Sequence, residues 1–265
     1  MDSVLLRQYV TEETIASDPW TDDALLYQPY EAEQILLAEN ASCLSVKAYL
    51  KMCNLPFGVK SAANAEFMSP GGRMTKLPFV KVGAFVVAEF EPIVNLVESK
   101  GVSLSKWLDE DQKSDMRAYI SLVEKIFTCA EIYISFADDE VLRQVTYPRN
   151  GCVYPWPLNV FENIKKRRNM LRQLNVYGWG NMTLDDVVQK VAKCCETLVE
   201  KLGNEEYFYG NRPTELDAVT FGHLFTILTT NLPNNVLAEK VREYKSLVRF
   251  CQNIDKKYFN PQKST

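Results

Sequence analysis

The sequence predicts an α/β domain followed by an all-helical domain, and three segments carry that prediction. Lys76 to Ile93 reads as strand, turn, strand and helix in quick succession. Between Asp109 and Phe136 the apolar residues Met116, Tyr119, Ile120, Val123, Phe127, Ala130 and Ile134 recur every three or four positions, the period of an amphipathic helix. Thr214 stands three residues before Asp217 at the head of an apolar run, which is the spacing of a capped helix start.

Taken in order, residues 1–32 read as an arm with little pattern, containing Trp20 and the acidic stretch Thr21-Asp22-Asp23. Gln34–Ala38 is expected to be a short apolar strand. Ser42–Met52 places Leu44, Val46, Ala48, Tyr49 and Met52 largely on one helical side, and Asn54-Leu-Pro56 stops that helix because a residue before proline avoids the α region. Phe57–Lys60 is a second strand, and Ser69-Pro-Gly-Gly72 a loop. Proline cannot donate to a sheet ladder, so Leu77–Pro78 belongs at the entrance of the third strand, where the bond is expected to be cis. Gly83 turns the chain into a strand through Phe85–Val87, and a helix over Pro92–Ser99 with Glu89 near its start completes a β-α-β-loop-β-β-α unit over 33–101.

Beyond Lys100-Gly101, residues 102–265 read as helix after helix. The long helix from Asp109 to Phe136 is followed by a proline-aromatic loop, Tyr147–Pro157, and by a helix over Leu158–Leu174. Gly178-Trp-Gly180 breaks the chain. Thr183 caps a helix reaching Leu202, with Asp186 returning the contact. In the helix capped by Thr214, the residues Ala218, Phe221, Gly222 and Phe225 form a tight inward face, and a last helix spans Val236–Tyr258.

Composition narrows the function classes. At 265 residues, with 46% apolar and 24% charged residues, the chain suits two globular domains with cores of their own. A net charge of -4 gives no electrostatic reason to expect a nucleic acid. The basic run Lys165-Lys-Arg-Arg168 beside Glu162 reads as a solvated helix face rather than a phosphate or lipid patch. No stretch is apolar for long enough to span a bilayer, and Met1–Gln8 lacks the character of a secretory or matrix-targeting segment. Seven cysteines, with no Cys-x-x-Cys pair, suggest neither a disulfide framework nor a zinc site. Cys194 and Cys195 point about 100° apart on a helix, so one of them is expected to face the core.

Catalytic chemistry is scarce. His223 is the only histidine, so a Ser-His-Asp or Cys-His scheme would have to use it. Its place within the capped helix favours a satisfied structural role. No phosphate-binding glycine motif is present. Cys43, at the expected start of the first helix, could have a lowered pKa there, but it is read as packing. No catalytic, cofactor-binding or metal-binding residue is assigned. Tyr147, Tyr154 and Trp156 are candidate partner contacts, because rigid aromatic side chains anchor interfaces at small entropic cost.

The element order and the capped helix resemble glutathione transferases, with a thioredoxin-like N-terminal domain and a helical C-terminal domain. Pro78, Glu89, Phe90, Thr214 and Asp217 carry that resemblance. Transferases of this kind have Glu-Ser where this chain has Glu89-Phe90, and their Ser holds the γ-glutamyl part of glutathione; Phe90 offers no hydroxyl. The nucleophile-activating residue of such an enzyme would lie between the first strand and first helix, here read as Glu39–Cys43. Over almost its whole length the chain also resembles the metaxin family, through Gln34-Ile-Leu-Leu37, Met52-Cys-Asn-Leu-Pro56, Ala63-Asn-Ala-Glu66, Met68-Ser-Pro70, Tyr154-Pro-Trp-Pro-Leu-Asn159, Gly178-Trp-Gly180, Pro213-Thr-Glu-Leu-Asp-Ala218, Phe221-Gly-His-Leu224 and Thr226-Ile-Leu-Thr-Thr230. That resemblance implies a transferase-like fold used without catalysis. The implied site is the cytosolic face of the mitochondrial outer membrane, held peripherally through partners. The implied role is in the sorting and assembly machinery that inserts β-barrel proteins. Its implied partners are a metaxin-1-like protein, the β-barrel insertase subunit, inner-membrane bridging complexes and motor adaptors. The competing reading is a glutathione-dependent transferase or thiol reductase.

Overall fold

A computed structural model describes residues 19–63, 77–83 and 85–260. The expected Ser69–Gly72 loop and the Ala63–Pro70 phrases lie wholly or mostly outside them. The sheet has four strands in the order β2-β1-β3-β4: β1 (Leu25–Gln28), β2 (Gly58–Ser61), β3 (Phe79–Val82) and β4 (Phe85–Ala88). β1 pairs parallel with β2 and antiparallel with β3, Leu26 facing Val59 and Val80. Parallel neighbours need a crossover, and α1 (Leu37–Met52) supplies it. Gly83, at φ 56, makes the β3–β4 turn, and Leu77–Pro78 is cis as expected.

The first strand is not where the sequence placed it. Gln34–Ala38 forms no strand; its apolar residues lead into α1, where the Leu36 N–H donates to the Glu39 carboxylate at 3.1 Å and secures the helix start. The strand is Leu25–Gln28, inside the segment read as an arm. It is buried on both faces: Leu26 joins the main core, while Tyr27 stacks on Phe79 at 4.8 Å on the other side. Trp20 fixes the approach to it by donating from Nε1 to the Pro56 carbonyl at 2.9 Å.

After β4 comes α2 (Phe90–Ser99), and then α3 (Glu110–Phe136) with its expected apolar stripe and Asp109 as its N-cap. The Tyr147–Pro157 segment corrects a second expectation, since half of it is helical. The chain continues through α4 (Asp139–Val141), a π turn over Leu142–Thr146, and α5 (Tyr147–Gly151). Pro148 falls just after the π turn, inside a run that stays helical from Asp139 to Gly151. Only Cys152–Pro157 is loop, ending in a second cis bond, Trp156–Pro157.

The helical domain is completed by α6 (Leu158–Val176), α7 (Leu184–Leu202), α8 (Glu215–Thr229), α9 (Val236–Arg242) and α10 (Lys245–Ile254). The expected single helix Val236–Tyr258 is divided at Glu243–Tyr244, with no proline or glycine to announce the break. Gly178, at φ 77, ends α6, and Trp179 beside it is buried. Thr183 and Asp186 form the expected capping pair at α7. Cys194 and Cys195 are both buried, because α7 is covered on two sides, by α3 and by α9 and α10.

α8 runs through the centre and is buried on every side from Glu215 to Leu224. It packs backbone-close on α1: a Cβ on Gly222 would stand 2.0 Å from Ser45 Oγ and 2.6 Å from both the Ala41 carbonyl oxygen and the Ser45 nitrogen. Ser45 Oγ donates to Ala41 O at 2.9 Å within α1 and lies 3.4 Å from Val219 O of α8. The two domains therefore share one core.

Thr214 and Asp217 meet as expected, with a different division of labour. The Thr214 N–H and hydroxyl both donate to Asp217 Oδ2 at 2.7 Å, and the Phe208 N–H donates to Oδ1 at 3.0 Å. The carboxylate thus collects three donors while burial pushes its pKa up to about 7. Thr214→Ala removes one of those donors and is expected to cost about 0.5–2 kcal/mol in a denaturation measurement. An unchanged midpoint would mean the hydroxyl does not support the helix start.

Candidate functional site

Between the domains lies a cleft of ≈ 600 Å³. α1 contributes Glu39, Ser42 and Ser45 to its wall, the β3 entrance contributes Pro78, and the start of α2 contributes Glu89 and Phe90. The helical domain adds Glu124 and Lys125 from α3, Lys166 and Met170 from α6, and His223 from α8.

Three of the expected signature residues, Pro78, Glu89 and Phe90, meet here, whereas Thr214 and Asp217 do not line the cleft. The Glu89 N–H donates to the Pro78 carbonyl at 3.1 Å, which ties the turn before α2 to the strand entrance. Glu89 has φ 71, a backbone state that costs a non-glycine residue of order 1–3 kcal/mol and persists where its surroundings enforce it. Phe90 turns its ring edge-on to Tyr49, centroids 5.6 Å apart, and presents an aromatic side chain to the cleft.

Besides Ser42 and Ser45, Ser121, Thr128 and Tyr177 bring hydroxyls to the cleft wall. Ser42 donates to Ala38 O at 3.0 Å inside α1, and Ser45 is held by Ala41 O and, more loosely, by Val219 O of α8. The Lys166 ammonium lies 2.7 Å from the Glu39 carboxylate, bridging α6 to α1 across the cleft. Cys129 lines the wall, but burial pushes its thiol up to about 11, and Cys43 is fully buried within α1 with its pKa raised further. Neither is a thiolate at neutral pH. Because α1 begins at Leu37, Glu39–Cys43 is not the strand-to-helix connection; residues 29–36 are. Tyr30 is the one hydroxyl or thiol bearer in that stretch, and it is not part of the cleft wall.

His223 is indeed satisfied and buried, with Nδ1 2.8 Å from Glu131 Oε1 and its ring stacked on Phe127. Among the described residues no group of His, Cys, Asp and Glu is placed to hold a metal ion. Periodicity in the sequence did not reveal the Glu131–His223 pair, because the two residues lie 92 positions apart on different helices.

The three aromatic residues singled out as partner contacts are not equally presented. Tyr147 packs against the core and Tyr154 is half-buried, whereas Trp156 stands open to solvent.

Comparison with known proteins places this geometry. Residues 41–141 match the glutathione S-transferase N-terminal domain and residues 191–254 the glutathione S-transferase C-terminal domain. Metaxin-2 of Homo sapiens is 46% identical over 255 residues, covering 96% of each chain. The chain belongs to the metaxin family. A metaxin-2 homolog of Caenorhabditis elegans is 37% identical over 229 residues, covering 86% of this chain and 98% of its own. Among solved structures, glutathione transferase GSTFuA3 of Phanerochaete chrysosporium superposes with a TM-score of 0.56 at 12% identity, over 88% of this chain and 96% of that one. At that identity the likeness is one of fold: this metaxin has the transferase architecture, with Phe90 and a Glu39–Lys166 bridge in the cleft. Among its described residues no helix is long and apolar enough to cross a membrane.

Proposed function

We infer that this metaxin is a non-enzymatic scaffold subunit of the sorting and assembly machinery on the cytosolic face of the mitochondrial outer membrane. In that role it pairs with a metaxin-1-like protein and supports insertion of β-barrel proteins. The observation that carries the reading is end-to-end similarity to metaxin-2, joined to a transferase-like cleft that has Phe90 at the start of α2 and whose one lining thiol, Cys129, is held protonated by burial. Membrane association is peripheral and reached through partners. Contacts with inner-membrane bridging complexes and motor adaptors belong to the same reading.

A tagged chain recovered from mitochondria under native conditions is expected to bring down a metaxin-1-like protein and the β-barrel insertase, as read by mass spectrometry. Recovery of motor adaptors without the insertase would favour a transport role instead. Glutathione titrated into the purified protein is expected to give no binding heat, because Phe90 leaves the ligand's ionised end without its partner on burial. Micromolar affinity would revive the reading as a glutathione-dependent transferase or thiol reductase.

A further inference from the structure

α6 has two faces with different tasks. One lines the cleft, through Lys166, Met170 and Gln173. The other looks away from the protein. At 100° per residue, Leu158, Phe161, Ile164, Lys165, Arg168, Arg172 and Val176 fall on one outward stripe within about 60° of Phe161. Its apolar members are exposed to an unusual degree: Phe161 at 65% and Val176 at 78%, with Trp156 just before the helix at 80%.

Charge is as uneven as polarity. The solvated-face reading of the basic run suits Lys165, which sits 3.4 Å from Glu162, and Lys166, which is paired with Glu39. It leaves Arg168 and Arg172, one turn apart and exposed, which meet no carboxylate among the described residues. With Arg167, Tyr147 and Ile164 they border a shallow surface groove of ≈ 460 Å³. In a chain of net charge -4, this stripe is a local cationic surface with apolar side chains at both ends.

We propose that the outward face of α6 docks directly on an anionic lipid surface, the helix lying parallel to the bilayer with Trp156 and Phe161 inserted and Lys165, Arg168 and Arg172 among the headgroup phosphates. Apolar side chains are favoured at a headgroup boundary and Lys and Arg by its negative potential, and here the two kinds interleave on one face of the helix. Arg168 and Arg172, set among exposed apolar side chains, favour an anionic, headgroup-bearing surface over an apolar protein partner. From Trp156 to Val176 the stripe is about 30 Å long at 1.5 Å per residue, enough to lay several phosphates along it. The proposal is independent of a role in β-barrel assembly, and adds a direct lipid contact to the peripheral, partner-held association described above.

The test is flotation of the full chain with vesicles of phosphatidylcholine alone and of phosphatidylcholine mixed with phosphatidylglycerol. The wild type is expected to float only with the anionic vesicles and to be released by salt. Binding is expected to shift its tryptophan emission to the blue, an effect that W156F abolishes. Neutralising two cations in R168Q/R172Q is expected to weaken partitioning by roughly thirtyfold. R168K/R172K is expected to bind like the wild type, because a headgroup layer responds to charge rather than to guanidinium geometry. All four changed side chains are exposed or bordered by solvent, so each variant is expected to melt with the wild type. Failure of the wild type to float overturns the proposal, as does flotation unaffected by both W156A/F161A and R168Q/R172Q. Loss of a co-purifying protein from W156A/F161A, with no vesicle binding by the wild type, would make the stripe a protein interface.

Discussion

Gly222→Ala is expected to lower the thermal midpoint by roughly 5–10 °C, the equivalent of about 2–3 kcal/mol in a chain of this size. Helix propensity alone predicts the opposite sign, since alanine is better than glycine in a helix interior by about 1 kcal/mol. Packing wins because the added methyl has nowhere to go. The Ser45 hydroxyl could rotate away from it at the loss of its bond to Ala41, but the Ala41 carbonyl and the Ser45 nitrogen, each 2.6 Å from the new carbon, belong to the backbone of α1. They move only if the helices separate, and that loosens the core on both sides. A differential scanning measurement in which Gly222→Ala melts at or above the wild-type temperature would show that α1 and α8 are not pressed together as described.

The second large effect is expected at Glu131 and His223. Removing one member of a buried ion pair costs about 3–5 kcal/mol, because the other is left without its counterpart. His223→Ala is therefore expected to be among the most destabilising single changes in the chain, while replacement of both residues by apolar side chains restores much of the loss. The pH dependence has a definite sign. Burial would lower the His223 pKa, but the Glu131 carboxylate outweighs it and raises the imidazole above 6.5. Burial raises Glu131 above 4.5 against the pull of His223. Both groups hold protons more tightly folded than unfolded, so their contribution to stability is largest at low pH. It declines as pH rises above 4.5, and declines further as pH passes from 6.5 through the folded value of the histidine. Subtracting the double variant's stability-versus-pH curve from that of the wild type isolates this slope from the surface carboxylates. A flat difference curve would mean the pair is not coupled.

What was legible in the sequence was local. The β3–β4 hairpin, the break at Gly178-Trp-Gly180 and the caps at Thr183 and Thr214 all depend on residues within a few positions of one another, and the structure contains them. Ile35–Leu37 misled because a short apolar run fits a strand or a buried helix start equally well, and only tertiary packing decides between them. β1 was missed for the complementary reason: four residues buried on both faces show no alternation. The cleft could not be read at all. Its walls come from α1, α2, α3, α6 and α8, and its wall residues span Ala38 to His223. Only the two residues Glu89-Phe90 pointed towards it, and they did so through chemical comparison rather than pattern.

The seat of α1 against α8 also sets a timetable for synthesis. α1 is complete once Met52 has been added, but the helix it packs on does not begin until Glu215 and ends at Thr229. For the whole of that interval the emerging N-terminal domain has its own sheet to fold against, while the α1 surface around Ala41 and Ser45 waits uncovered. Contacts between segments so far apart in the chain form slowly, and exposed apolar surface in the meantime invites aggregation. Until α8 has been made, that surface is expected to be prone to aggregation. A truncation ending before α8 is expected to accumulate as aggregate rather than as a folded N-terminal half.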